Sequence, residues 1–198
     1  MWKEWIFKHR GYLPVLPCLV IIFFSNPSQR AMVASLFLVA FGETIRLLSV
    51  AYIGGRTRND RTNAEKLVTN GPYSIVRNPI YVGNFFIGLG YIFLFNVWMP
   101  YIFLIYIPLF LVEYGIIMNV EENFLLSKFE SNYRRYKQNV PSVLPLFKRY
   151  NGEKVTPNFV RALKSERDTL ITILIVYLLT FIVWSLNTNI SNKLMPRM

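Results

Sequence analysis

Five apolar stretches, separated by polar or charged segments, organise the chain. About 20 apolar residues are needed for a helix to cross the hydrocarbon of a bilayer. The pattern predicts membrane segments at residues 12–24, 31–53, 80–99, 101–118 and 169–186. The first is short, so it is either a poor spanning helix or an arm at the membrane surface. The expected fold class is therefore all-α, a polytopic membrane protein with about five transmembrane helices.

Composition agrees with a lipid environment, because 53% of the residues are hydrophobic and the mean hydropathy is +0.32. The single cysteine, Cys18, excludes an intrachain disulfide and a cysteine-based metal site, and we expect no bound metal. We divide the chain into three parts. They are an N-terminal segment with the short first helix (1–30), a membrane core (31–149), and a basic linker with a C-terminal transmembrane helix (150–198).

Lysine and arginine are distributed unevenly between the two ends of these helices. If the N-terminus is cytoplasmic, 18 of the 22 basic residues fall on the cytoplasmic side, most of them in segments 54–79 and 119–168. Basic residues near helix ends resist translocation, so the N-terminus and both segments are predicted to face the cytoplasm. The net charge of +11 then reflects topology and attraction to anionic lipid. Nucleic acid is not an expected partner, because the basic residues flank membrane segments instead of forming a recognition element.

Two charged residues lie inside the second apolar stretch. Glu43 and Arg46 are three residues apart, so their side chains share one face of a helix and can pair. Pairing offsets part of the cost of placing charge in lipid. The two residues form either a structural ion pair, with Arg46 reaching toward the headgroups, or a polar lining that orients a substrate.

Residues 71–83, GPYSIVRNPIYVG, carry the most informative pattern. Pro79 suits the first position of a helix, and Asn78 suits the N-cap before it. Arg77, beside a helix start with free N–H groups, makes a candidate anion site. Gly83 and two later glycines allow the close approach of a neighbouring helix or of a ligand.

Residues 120–137 are predicted to form an amphipathic helix after the fourth apolar stretch. Its stripe recurs at spacings of three and four residues and begins at Glu122, whereas Glu121 lies about a quarter-turn away. Periodicity does not decide which glutamate points into a site. Two prolines predict an extended segment at residues 140–145, and residues 148–168 read as a basic linker.

Residues 71–83, followed by EE…L…F…Y…Y…VP…P over residues 121–145, resemble the isoprenylcysteine carboxyl methyltransferase and phospholipid methyltransferase superfamily. The order and spacing of the motifs match across roughly residues 43–147. The resemblance implies a membrane-embedded methyltransferase that uses S-adenosylmethionine at its cytoplasmic face, while a lipid or isoprenoid-type acceptor enters between helices. The chain also lacks the glycine-rich strand–turn–helix fingerprint of a dinucleotide-binding domain.

The resemblance also implies roles for individual residues. Glu121 or Glu122 would bind the amino or ribose groups of the cofactor, and Tyr73 would stack on its adenine. Glu43 and Arg46 would orient the acceptor. The complete set of implied cofactor contacts is Tyr73, Arg77, Asn78, Tyr81, Gly83, Glu121 and Glu122.

Two departures from the family pattern concern the acceptor. Many members have histidine at the position of Asn78, and many have a basic residue directly before the Val-Pro pair, where this chain has Gln-Asn at 138–139. If that basic residue binds a substrate carboxylate in the family, then in this chain either Arg134, Arg135 or Arg46 replaces it, or no residue does. The acceptor is therefore expected to be either prenylcysteine-like or phospholipid-like, and Arg134 joins the catalytic candidates.

Two other functions fit part of the pattern. A membrane reductase of the sterol-reductase type has a similar Asn-Pro-x-Tyr segment and would use NADPH, with the arginine loop receiving its 2′-phosphate. A non-catalytic membrane anchor would use the basic amphipathic segment on anionic lipid. The paired glutamates, the tyrosines and the Val-Pro pair favour the methyltransferase.

Overall fold

The computed structural model describes residues 21–22, 24–54, 66–145 and 148–194, and every regular element within these ranges is helical. A short 3₁₀ helix (Gly71–Ser74) precedes the second of four α-helices. The α-helices are α1 (Gln29–Tyr52), α2 (Pro79–Phe95), α3 (Phe103–Asn139) and α4 (Phe159–Leu194). The all-α prediction is confirmed for the part of the chain that the structure describes.

Three of these helices are long and apolar enough to cross a membrane: α1, α3 and, within α4, Phe159–Thr188. Their outer faces carry large apolar side chains, including Phe37 (73% exposed), Leu104 (75%) and Leu174 (72%). Extensive apolar surface of this kind suits lipid, so the protein is an integral membrane protein. The predicted count of five spans is not confirmed. Helix α2 has only 17 residues, and most of segment 12–24 lies outside the described residues.

Helices α1 and α2 run antiparallel and approach each other closely at glycines. A Cβ atom on Gly83 would lie 2.6 Å from the carbonyl oxygen of Gly42, and one on Gly90 would lie 2.5 Å from Val39 Cγ2. Any larger residue would push the helices apart, so the glycines set the distance between them. The predicted close approach is confirmed, and the partner at both glycines is helix α1.

Helix α3 packs on α2 through aromatic rings. The rings of Phe85 and Phe110 have centroids 5.1 Å apart, and nearer the start of α2 a tyrosine pair is equally close. Tyr106 approaches the gap left by Gly88 and donates a hydrogen bond from its hydroxyl to the carbonyl oxygen of Phe85 (2.9 Å). Edge-on and tilted aromatic contacts thus hold these two helices, in contrast to the close backbone contact between α1 and α2.

The predicted amphipathic helix, residues 120–137, is the second half of α3 and not a separate element. The helical path breaks at Glu130, where φ is 39° and ψ is −111°. A straight helix would place Glu122 and Lys137 about 22 Å apart, more than their side chains can bridge. Lys137 Nζ nevertheless lies 3.0 Å from Glu122 Oε2, so the break folds the end of α3 back. Residues 140–145 follow without regular structure. The backbone of Val140 is extended, as predicted, but bends occur at residues 142–144.

Helix α4 lies antiparallel to α1. The backbone N–H of Asn158 donates to the carbonyl oxygen of Ala51 (2.9 Å), and near the far end the hydroxyls of Ser35 and Tyr177 lie 2.6 Å apart. The predicted basic linker, 148–168, is wrong from residue 159 onward, because α4 begins there. Consequently α1 ends, and α2 and α4 begin, at the same end of the bundle.

Candidate functional site

The two sequence motifs meet at this end of the bundle. The backbone N–H groups of Arg77 and Asn78 donate to carbonyl oxygens of segment 140–145 at 2.8 and 3.1 Å. The hydroxyl of Tyr136 donates to the carbonyl oxygen of Tyr73 (2.6 Å). Hydrogen bonds between residues more than sixty positions apart therefore join the two motifs into one structural unit.

All three nitrogens of the Arg77 guanidinium donate to acceptors from the chain itself. Its Nε and Nη2 atoms donate to the carboxylate of Glu122 at 2.9 to 3.2 Å, a forked geometry that favours strong binding. Its Nη1 donates to the carbonyl oxygens of Lys137 and Val140. Arg77 clamps the middle of α3 to the segment that follows α3.

Glu122 receives a third donor from Asn78, whose side-chain amide also donates to the hydroxyl of Ser142 (3.2 and 3.0 Å). Asn78 occupies the N-cap position of α2, but its side chain makes no capping hydrogen bond. The predicted N-cap position is therefore confirmed, but the side chain does not cap the helix. Its Nδ2 is directed instead to Glu122 and Ser142.

A cavity of about 280 Å³ opens beside this unit. It is lined by the end of α1, the segment before α2, the start of α2, the second half of α3 and the start of α4. Its wall is mainly apolar and aromatic, with a few polar groups. The lining residues that matter below are Lys66, Tyr73, Glu121, Tyr133, Tyr136 and Arg161.

Glu121 and Tyr133 supply polar groups to the cavity wall. Both glutamates of the pair are buried, but Glu122 is held by Arg77 while Glu121 lines the cavity. The structure thus answers the question that periodicity left open. The hydroxyl of Tyr133 is buried near the Arg77 guanidinium, but among the described residues it makes no hydrogen bond of regular geometry. A buried hydroxyl without a regular hydrogen bond costs free energy, which a ligand in the cavity would recover.

Tyr73, Arg77, Asn78 and Glu121 line the cavity, but other predicted site residues do not. Gly83 faces α1, and the ring of Tyr81 packs on Tyr114, with centroids 5.1 Å apart. Arg134 is exposed and lines a separate, open depression on the outer face of α3. The structure therefore does not bring Arg134 to the cavity.

Arg46 lies at the centre of a second polar group, deeper in the bundle, which we call the intramembrane cluster. Its Nε is 3.3 Å from Glu43 Oε2, so the predicted pair is present. Its other nitrogens bind Glu166 of α4 and Asn84 of α2. Glu166 is fully buried, and one of its carboxylate oxygens has no partner among the described residues.

The sequence analysis missed Glu166 because it placed this residue in a linker. The spacing of small and polar residues in this segment nevertheless indicated a helix face. Ala162, Glu166, Val176 and Thr180 are buried, and their intervals of four, ten and four residues match one face of a helix. Extending that face toward the N-terminus would have placed Glu166 inside the bundle.

The model of the phospholipid methyltransferase family matches residues 30–132, just over half of the 198-residue chain. This matched region contains α1, α2 and both glutamates of the cavity unit. The chain belongs to the phospholipid methyltransferase family. Helix α4 lies beyond the region that defines membership.

Curated relatives of this family member include two isoprenylcysteine methyltransferases. Protein-S-isoprenylcysteine O-methyltransferase from Xenopus laevis is 33% identical over 63% of this chain and 43% of its own length. The Homo sapiens protein of the same name is 30% identical over 59% of this chain and 42% of its own length. The cobalt-zinc-cadmium resistance protein CzcN from Cupriavidus metallidurans is 32% identical over 54% of this chain and 46% of its own length.

The chain spans less than half the length of these curated relatives. No solved structure matches it significantly. Within the residues that the structure describes, no group of three or more histidine, cysteine, aspartate or glutamate side chains is arranged to hold a metal ion.

Proposed function

We propose that this phospholipid methyltransferase family member transfers a methyl group from S-adenosylmethionine to a lipid or isoprenoid-type acceptor at the membrane. The observation that carries the proposal is the cavity beside the joined motifs, with the Glu121 carboxylate and the buried Tyr133 hydroxyl in its wall. Family membership and the O-methyltransferase names of two relatives support methyl transfer.

The groups in the cavity wall suit a nucleoside that also carries an amino acid. Its volume of about 280 Å³ is close to the lower end of the usual range for ligand sites. Tyr73 and Tyr136 offer aromatic surface for an adenine ring. The Glu121 carboxylate accepts hydrogen bonds from ribose hydroxyls or an ammonium group, and Tyr133 donates or accepts one.

Methyl transfer from a sulfonium depends mainly on the positioning of the methyl donor and the acceptor. When bound, S-adenosylmethionine would supply a methyl group whose bond to sulfur breaks as its bond to the acceptor O, N or S forms, leaving a neutral thioether. The reacting atoms must approach within about 3 to 3.5 Å in line. In this chain, the contact between Arg77 and Glu122 holds the cavity wall in place.

The acceptor is proposed to enter between the helices, with its reactive end directed to the cavity. In this proposal, Arg46 and Glu43 of the intramembrane cluster orient a polar headgroup or carboxylate of the acceptor; neither residue lines the cavity itself. The basic segments on either side of the cavity support a cytoplasmic orientation for this end of the bundle. Prenylcysteine-like and phospholipid-like acceptors both remain part of the proposal.

Calorimetric titration of the detergent-purified protein with S-adenosylmethionine tests the cofactor site. Saturable binding is expected, and Glu121→Gln should weaken it by about 10-fold, because a charge-assisted hydrogen bond is lost. Glu130→Gln provides a matched control, since Glu130 is an exposed glutamate of the same helix outside the cavity. Binding of NADPH without binding of S-adenosylmethionine would replace this proposal with the reductase alternative.

A further inference from the structure

Helix α4 adds a cation to the cavity wall. Arg161, in the first turn of α4, lines the cavity together with Lys66 from the segment before the 3₁₀ helix. Among the described residues, neither charged group has an ion-pair or hydrogen-bond partner. Both side chains are exposed, so the solvent-accessible part of the cavity wall carries two positive charges, in addition to the carboxylate of Glu121.

The position of Arg161 is set by its neighbours. The backbone N–H of Arg161 donates to the side-chain oxygen of Asn158 (2.9 Å), which caps the helix start. Asn158 is itself bonded to the end of α1, and Ala162, the next residue after Arg161, is fully buried against Val50 and Ala51. A cation on such an anchored turn is better placed for binding than one on an irregular segment.

Among the described residues, two other cations near the cavity already have partners. All three nitrogens of the Arg77 guanidinium donate to acceptors of the chain, and Lys137 pairs with Glu122 at 3.0 Å. The motif arginine is therefore held by the chain itself, although its place beside a helix start suggested that it binds an anion. Within the described part of the chain, Arg161, with Lys66 nearby, is the available partner for negative charge in the cavity.

We propose that Arg161 binds an anionic group of the ligand in this cavity. That group is either the methionine carboxylate of the methyl donor or a carboxylate or phosphate of the acceptor. The assignment rests on the proposed function and deepens it, because it places a binding residue outside the matched region 30–132.

Three variants of the full chain test the assignment: Arg161→Gln, the conservative Arg161→Lys, and Arg167→Gln. Arg167 is the matched control, because it is an exposed arginine of the same helix that does not line the cavity. Thermal unfolding of each variant is compared first. Calorimetry then measures Kd for S-adenosylmethionine and for its decarboxylated analogue, and kinetics measure KM and kcat with N-acetyl-S-farnesylcysteine and with phospholipid vesicles.

If the donor carboxylate is bound, Arg161→Gln raises Kd for S-adenosylmethionine by about 10-fold and leaves Kd for the decarboxylated analogue unchanged. If the acceptor anion is bound, Kd for S-adenosylmethionine is unchanged and KM for one acceptor rises by about 10-fold at constant kcat. Arg161→Lys should restore part of either effect, because it keeps the charge but not the forked geometry.

Values for Arg161→Gln that stay within about twofold of those for Arg167→Gln in every assay overturn the assignment while leaving the proposed function intact. The same holds if the variant loses only its affinity for anionic vesicles, since Arg161 would then contact headgroups. A wild-type protein that neither binds S-adenosylmethionine nor methylates either acceptor overturns the proposed function and this assignment together.

Discussion

Replacing Glu122 with glutamine should destabilise the protein more than any exposed substitution on the same helix. Glu122 is only 8% exposed and accepts hydrogen bonds from Arg77 at 2.9 to 3.2 Å. Removing one partner of a buried ion pair costs about 3 to 5 kcal/mol, because the other charge stays buried and uncompensated. Glutamine keeps one carbonyl acceptor, so we expect a loss of about 3 kcal/mol. For a chain of this length, that corresponds to a fall of about 6 to 12 °C in Tm.

Fluorescence-monitored thermal unfolding in detergent measures this difference. Lys137→Met is the control, because Lys137 binds the same carboxylate but is 47% exposed, so its loss should cost less than about 1 kcal/mol. The double variant Arg77→Met/Glu122→Leu should lose less stability than the sum of the two single variants, since no unpaired charge remains. Equal Tm values for Glu122→Gln and Lys137→Met would refute the reasoning.

Three further predictions concern other parts of the bundle. Gly83→Ala places a Cβ atom 2.6 Å from a carbonyl oxygen of α1 and should cost about 1 to 3 kcal/mol, whereas Gly115→Ala meets nothing within 4 Å and should be neutral or slightly stabilising; equal thermal stability would contradict the packing of α1 on α2. Tyr133→Phe removes a hydroxyl that makes no regular hydrogen bond among the described residues, so thermal stability should be unchanged while calorimetric affinity for S-adenosylmethionine falls about 5- to 10-fold. Unchanged affinity would remove that hydroxyl from the site. Glu166→Gln weakens the contact of α4 with Arg46 and should lower stability by about 2 kcal/mol in the same unfolding assay; an unchanged Tm would show that apolar packing alone holds α4.

Local pattern was enough to predict several elements of this fold. The start of α2 follows from Pro79, whose ring fixes a helical backbone angle and whose missing N–H is harmless in the first turn. The stripe that contains Tyr133 and Tyr136 follows from helical periodicity, and both side chains are buried as that stripe requires. The role of Gly83 in close helix packing follows from the absence of a side chain. Each prediction depends on residues within a few positions of one another.

Partner choice among charged groups depends instead on contacts between distant segments. Arg77 looked like a free anion site, but its acceptors are Glu122 in the middle of α3, Lys137 in the last turn of α3 and Val140 directly after it. Because Arg77 binds Glu122, it is Glu121 that lines the cavity. The spacing of residues along one helix does not distinguish these two roles. The packing of α4 on α1 brings Glu166 to Arg46 and Arg161 to the cavity wall. Periodicity specifies which face of a helix is buried. The neighbour on that face is set by how the whole chain folds, because electrostatic and hydrogen-bond partners must lie within a few ångströms of each other.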